Sequence, residues 1–471
     1  MTRTHCVAAQ VLSIFLLVFS TLTVAAQNPV PFLSQPLIPS AIAPNPASAV
    51  FTLTVHGTGF VPQSTVNWNG SPQVTVFVNN SRLVAFIPAS KILVPTTAWI
   101  TVVSPAPGGG TSNTLFLPVH IPTSTLSFRR TDYPIGGAAQ YGWTGDFSHN
   151  GKLDLAFANY GIGAAAVLLG NGDGTFQDAT NYPAGGSAQV TIIGDFNRDG
   201  NLDLAVPGGP GKVLLGLGNG SFEQTGYSFG FGYHGITADF NGDGKLDLAV
   251  ADSGVSILLG NGDGTFGNPV ENGAGGFSTM VATGDFNGDG ILDLVTSNFS
   301  ENNVSVLLGN GDGTFRPHVD YPAGVNPTGV VVADFNGDGK LDLAVGIPGE
   351  EGGAVAILLG NGDGTFRAQV NYPVPEGAVR VDVADINQDG KLDLIVANSH
   401  QPSVNILLGN GDGTFQPVLS FPCGNRPWNA VPADFNGDGR LDIATGNFDD
   451  GSVSVLIAQP SAQKHPKPQH K

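Results

Sequence analysis

The sequence predicts an all-β chain: a seven-bladed β-propeller preceded by a small immunoglobulin-like β-sandwich. Three observations predict it. The stretch Asp239-Phe240-Asn241-Gly242-Asp243-Gly244-Lys245-Leu246-Asp247 recurs seven times, with starts at Asp146, Asp195, Asp239, Asp285, Asp334, Asp385 and Asp434 and intervals of 49, 44, 46, 49, 51 and 49 residues. A second motif, Leu258-Leu259-Gly260-Asn261-Gly262-Asp263-Gly264-Thr265-Phe266, alternates with it at 168–176, 307–315, 358–366 and 407–415, and in altered form at 214–222. Helical signals are nearly absent, while 67 Gly and 33 Pro punctuate short alternating runs, which is the pattern of many short strands joined by turns.

Each repeat reads as four strands. After the nine-residue loop, Lys245-Leu246-Asp247-Leu248-Ala249-Val250 alternates with the two-residue period of a strand, so the loop lies between two strands. The second motif joins two apolar runs through Asn-Gly-Asp-Gly, residues that tolerate positive φ and mark a hairpin. Turn chemistry therefore accounts for Asp173, Asp263, Asp312, Asp363 and Asp412. A four-stranded unit recurring every 44–51 residues is a propeller blade. The last repeat stops at Ile457 without the hairpin motif, and Leu126-Ser127-Phe128 through Tyr133-Pro134 resembles the missing outer strand. Residues 125–133 are expected to complete the last blade and remove an exposed edge.

The nine-residue loop has the chemistry of a hard-cation site. It places side-chain oxygens at positions 1, 3, 5 and 9 and glycine at 6, where the chain must bend sharply. Ca²⁺ takes about 6–8 oxygen ligands, and a curling loop can supply several. The expected ligands are Asp146, Ser148, Asn150 and Asp154; Asp195, Asn197, Asp199 and Asp203; Asp239, Asn241, Asp243 and Asp247; Asp285, Asn287, Asp289 and Asp293; Asp334, Asn336, Asp338 and Asp342; Asp385, Asn387, Asp389 and Asp393; and Asp434, Asn436, Asp438 and Asp442. Position 7 would offer a backbone carbonyl. The first copy has only two carboxylates and is expected to be the weakest site. Position 12 is Val250, Thr296, Val345 or Val396 rather than the glutamate of an EF-hand.

Charge follows the loops. The net charge is −19 although only 12% of residues are charged, and 20 of the 32 Asp occupy the loop positions. Without Arg3 the charge is −20, and seven dications would bring it to about −6. This balance argues against nucleic acid, which calls for Lys/Arg stripes.

Residues 1–26 read as a secretory signal, with Arg3 at the head, an apolar run to Val24 and a small-residue cleavage site before Gln27. Export to the cell surface or the medium follows, with no membrane span after cleavage and a monomer as the expected state. Cys6 leaves with the leader, so Cys423 is the one remaining thiol. Residues 27–45 are a Pro-rich linker or edge strand, 46–120 the β-sandwich, 124–459 the propeller and 460–471 a disordered tail.

Two resemblances bear on function. Leu53 to Phe60, Val66 to Gly70, Val84 to Ala89 and Pro105 to Asn113 resemble IPT/TIG immunoglobulin-like domains, which implies a spacer or a protein- or sugar-binding module, with Trp68 in its core. The nine-residue motif at 239–247 and 334–342 resembles FG-GAP/VCBS repeats. The family looks like the propeller of integrin α chains, whose loops of this type bind calcium. The resemblance implies calcium at the seven loops and a role in cell adhesion or ligand binding.

In a four-stranded meander the metal loops and hairpins fall at one end of the sheets. The opposite end is expected to carry variable loops holding Tyr141, Tyr160, Tyr227, Phe231, Tyr233, His234, Phe277, Phe299, Arg380, His400, Trp428 and Phe448, with Asn159, Asn298, Asn398 and Asn447. Binding residues collect on such loops. Tyr227, Tyr233, His234, Arg380 and Trp428 are the candidates for contact with an extracellular protein or carbohydrate. Catalysis finds little support: Gly230 to Gly235 fits a dinucleotide fingerprint but no helix follows, and Glu350, Glu351 and Glu376 read as loop charges. A polysaccharide lyase or hydrolase and a purely structural surface protein are the alternatives.

Overall fold

The computed structural model describes residues 28–460 apart from 39–48, 95, 120–122, 124, 231 and 350–351. The leader, the C-terminal tail, Phe231, Glu350 and Glu351 lie outside the described residues. Every element among the described residues is a strand, apart from one 3₁₀ turn at Ala89–Lys91. No described helix is long and apolar enough to cross a membrane.

The N-terminal unit is two sheets. Phe32–Ile38, Val50–Thr58, Arg82–Pro88 and Val74–Asn79 form one; Ser71–Pro72, Thr65–Trp68, Thr96–Ser104 and Gly110–Thr111 form the other, with Leu115–Val119 also paired to Thr96–Ser104. Alternate residues of both face inward on a single core that includes Leu53, Val66, Trp68, Leu83, Ile100 and Leu117. Trp68 is 2% exposed and stands edge-on to Phe51 at 5.8 Å, so it is a core residue.

The repeats form seven four-stranded antiparallel sheets. Repeat 3 shows the plan: His234–Ala238, Asp247–Ala251, Val255–Leu258 and Val270–Asn272 pair in that order. The nine-residue loop joins the first two strands. The second and third strands are buried along their whole length in most repeats, whereas fourth strands such as Thr180–Pro183 are largely exposed. Apolar residues run without alternation there because neighbouring sheets cover both faces. The last sheet differs. Its first three strands are Val431–Ala433, Asp442–Asn447 and Ser452–Ala458, and its outer strand is Phe128–Pro134, in register from Phe128 opposite Ala458 to Pro134 opposite Ser452.

Phenylalanine joins one sheet to the next. The loop Phe at position 2 packs edge-on against the hairpin Phe of the following repeat: Phe147 with Phe222, Phe196 with Phe266, Phe240 with Phe315, Phe286 with Phe366 and Phe335 with Phe415 at 5.3–6.0 Å, and Phe435 of repeat 7 with Phe176 of repeat 1 at 5.4 Å. Each such pair contributes about 0.5–1.5 kcal/mol beyond burial. Ile386 replaces Phe in repeat 6, whose successor has no hairpin Phe; it packs instead with Leu126 and Phe128 beside the added outer strand.

Candidate functional site

The nine-residue loops are held by their own backbone. Asp239 Oδ1 accepts from the Asp243 amide at 3.1 Å and Oδ2 from the Gly244 amide at 2.9 Å, and the six other copies repeat both bonds. The amide of residue 243 also reaches Asn241 Oδ1 at 2.9 Å. Positive φ is required at two positions, not one: Gly242 at 72° and Gly244 at 82°. His149, Arg198 and Gln388 hold the first of these positions at 52°, 63° and 61°, a conformation that costs a residue with a side chain about 1–2 kcal/mol.

Position 9 ties each loop into its sheet. Asp247 is fully buried; Oδ2 accepts from the Phe240 amide at 2.9 Å and Oδ1 from the Gly260 amide at 2.7 Å, at the end of the third strand. Asp154, Asp203, Asp293, Asp342, Asp393 and Asp442 make the corresponding pair. Burial pushes these carboxyls up, and neighbouring loop carboxylates add to it: Asp154 and Asp342 to about 6, Asp203, Asp247 and Asp293 to about 7, and Asp393 to about 8. Among the described residues no three Asp, Glu, His or Cys side chains are grouped as a metal cage; the carboxylates are turned onto backbone amides. Each carboxylate oxygen retains acceptor capacity, and the donor set is oxygen alone, which suits a hard dication.

The N-terminal unit sits on this end of the sheets. The Thr97 hydroxyl donates to Asp434 Oδ2, the Thr123 amide donates to the Asn387 carbonyl at 2.9 Å, and Phe32 joins the core of repeats 1 and 2. Asp385, Asn387 and Asp434 are consequently only 1–5% exposed.

The first strands of all seven sheets face a common axial space. Five positions before the loops the sequence has Tyr141, Val190, His234, Met280, Gly329, Arg380 and Asn429, and of these Tyr141, His234, Met280 and Arg380 are brought together. The polar members meet across the axis. Arg380 Nη1 donates to His234 Nε2 at 2.7 Å, and Arg380 pairs with Asp382 at 3.3 Å. Its guanidinium lies 5.3 Å from the Tyr141 ring centre and 5.5 Å from that of Trp143. Tyr141 stands edge-on to His234 and to Trp428. Burial, then the Arg380 charge, holds the His234 imidazole well below its usual range, and burial pushes the Tyr141 phenol up to about 12. Between this layer and the N-terminal residues Phe32, Leu33 and Leu115 lies a cavity of about 240 Å³.

The five candidate contact residues separate. His234 and Arg380 lie in first strands, facing the axis rather than in loops; Trp428 touches their cluster through Tyr141. Tyr233 stays in the outer loops, 4.9 Å from Phe277. Tyr227 lies in the outermost strand Phe222–Phe229, stacked with Phe229, at an irregularity beyond which pairing with Gly211–Gly216 resumes at Ser228 and Phe229. Asn159, Asn298, Asn398 and Asn447 are fully buried strand ends rather than exposed loop residues: Asn159 Nδ2 donates to the Ile135 carbonyl at 2.9 Å, and Asn447 Nδ2 to Ser454 Oγ at 2.8 Å. Asp382, Trp143 and Met280 were missed; counting back three and five residues from each loop would have placed them on the axis. Among the described residues the outer loops also carry a cation–aromatic cluster: Arg426 lies over Phe448 at 4.8 Å and Trp428 at 5.6 Å, with Tyr160 against Phe448 at 5.8 Å.

Repeated four-stranded sheets with one loop type at a common end define a repeat β-propeller. The model of the FG-GAP-like repeat matches residues 146–206, 195–250, 239–296, 285–345, 346–396 and 385–445. Those six intervals take in all seven loops and more than half of the chain, and the chain belongs to the FG-GAP-like repeat family. A search of curated proteins gives no match. Similar solved structures include an Agrocybe aegerita lectin described as recognising non-reducing terminal N-acetylglucosamine, at 21% identity over 77% of this chain and 95% of that one, TM-score 0.44. An auxiliary nutrient-binding protein of Bacteroides ovatus is similar at 12% identity over 92% and 98%, TM-score 0.39. Saccharomyces cerevisiae Sqt1 is similar at 11% over 92% and 100%, TM-score 0.43.

Proposed function

We propose that this chain is an exported, calcium-stabilised, seven-bladed recognition module that binds an extracellular protein or carbohydrate at the end of the sheets opposite its acidic loops. The observation that carries the reading is the Arg426–Trp428–Phe448–Tyr160 cluster, in which exposed Arg426 and Tyr160 flank half-buried Trp428 and Phe448 on loops between rigid strands. Such surfaces offer apolar area with little side-chain entropy to lose. Calcium would be held by the oxygens of positions 1, 3, 5 and 9 and the carbonyl of position 7, neutralising carboxylates that burial and mutual repulsion disfavour. The N-terminal sandwich, read as an IPT/TIG-like module, would act as spacer and cover.

Calorimetry on chelated protein tests the metal. Calcium uptake with Kd of roughly 10⁻⁴–10⁻³ M, the range of extracellular modules, and a rise in melting temperature are expected; no heat and no rise would remove calcium from the reading. A glycan and surface-protein binding screen tests recognition. Binding that is lost in Tyr160→Ala or Arg426→Ala with unchanged melting supports it, and binding unaffected by both places the site elsewhere.

A further inference from the structure

We propose that the axial cavity is a binding site for a small uncharged amphiphile, an aliphatic or aromatic alcohol or ketone, with its oxygen on the Arg380–Asp382 pair and its carbon body against apolar walls. This goes beyond recognition at the outer loops, because the cavity lies on the inner side of the layer formed by Arg380 and His234.

Size comes first. The cavity measures about 240 Å³ and is lined by Ile192, Ile236, Val332 and Val431 from the sheets and by Leu33 and Leu115 from the N-terminal unit. An apolar cavity of about 150 Å³ suffices to take up benzene and stay dry. A body of eight or so carbons therefore fits, and burying it removes apolar surface of both partners from water.

The polar end selects the head group. At the level of Asp382, three residues before each loop, the other repeats carry Trp143, Ile192, Ile236, Ala282, Val331 and Val431. The fold is built six times without a charge there, and a buried ion pair is weak evidence for stability. The pair is also stretched. Arg380 Nε and Nη2 stand 3.3–3.4 Å from the Asp382 oxygens, against about 2.7–2.9 Å for a tight charge-assisted bond. Nη1 is committed to His234 at 2.7 Å, with Met280 Sδ at 3.9 Å. Of the five guanidinium N–H groups, one on Nη2 has no acceptor among the described residues. A hydroxyl can accept from that N–H and donate to the carboxylate; a carbonyl can do the first.

Charge excludes the other head groups. Arg380 and Asp382 cancel, and His234 accepts a hydrogen bond from the guanidinium, so its proton lies on Nδ1 and the ring is neutral. A carboxylate would meet Asp382, and an ammonium would meet Arg380, each without a free counter-charge among the residues that line the cavity. An uncharged oxygen meets neither penalty.

Octan-1-ol, octanoate and octylamine are the probes, equilibrated overnight with the full chain at pH 7.5 because Phe32, Leu33 and Leu115 cover one end of the cavity. Calorimetry is expected to show octan-1-ol binding at one per chain and at least tenfold more tightly than the other two. Amide hydrogen exchange is expected to slow in Ala378–Ala384 and His234–Ala238. Ala282→Leu, which grows into the cavity, is expected to weaken octan-1-ol tenfold while circular dichroism stays unchanged; should it unfold, the exchange pattern of the unsubstituted chain locates the probe alone. No binding of octan-1-ol, equal binding of all three probes, or slowed exchange confined to the outer loops or the N-terminal unit would each overturn the proposal.

Discussion

At the scale of single residues, the aspartates of one loop do different work. Asp247 holds two buried amides and Asp243 lies at the surface of its loop. Asp247→Asn turns an amide donor onto a backbone donor, and the metal-free chain is expected to lose about 2–4 kcal/mol by denaturant unfolding. Asp243→Asn is expected to change metal-free stability by no more than about 0.5 kcal/mol and to weaken calcium uptake at that loop. Acidity follows from the same burial. Asp393 is raised to about 8, and Asp203, Asp247, Asp293 and Asp385 to about 7. A carboxyl raised on folding gives stability that is fully present below its unfolded value near 4 and is lost as pH rises to and through its folded value, here about 7 to 8. His56, lowered to about 4, and His234 act oppositely, but only below the usual histidine value of 6.5. Chelated protein is therefore expected to melt higher at pH 6.5 than at pH 8, by roughly 1 kcal/mol per pH unit for each group that titrates. With calcium bound the slope should flatten; a metal-free melting temperature that rises with pH across that window would refute the assignment.

Strands and loops were largely legible in the sequence, and the reasons are local. Nine-residue loops and Asn-Gly-Asp-Gly hairpins carry their backbone conformation in their glycines, so element order could be read by eye. The outer strand Phe128–Pro134 was legible because it repeats the Thr314-Phe315 to Tyr321-Pro322 pattern at the wrong end of the chain. Deleting 121–134 is expected to leave Ser452–Ala458 with an unpaired edge, lowering the melting temperature and producing dimers or aggregates in size-exclusion chromatography; an unchanged monomer melting as before would show that the strand is dispensable. The substitution at Ile386 was legible only as a packing change. Its cause is the absent hairpin of the next repeat, which lies about 50 residues away and on the neighbouring sheet. The buried asparagines were misread because a polar residue at a strand end looks like the start of a loop, whereas here it ties down the neighbouring chain.

The arrangement of the whole molecule was the least legible. That Arg380 reaches His234, 146 residues away, depends on seven first strands converging on one axis, and no local pattern states which side chains meet there. The seating of the N-terminal unit over the loops of repeats 6 and 7 is equally silent in sequence, since Thr97 is an ordinary strand residue and Thr123 an ordinary residue of the connection between the two units. The chain enters the repeats at Phe128 and leaves them at Ala458, and these two residues face each other at the same end of one antiparallel pair. A pull applied through both termini therefore loads the rungs of that ladder singly, from Phe128 toward Pro134, in the manner of a zip. The strand that completes the last sheet is also where the repeats of a tethered molecule under tension would begin to peel, before any other sheet of the repeats bears the load.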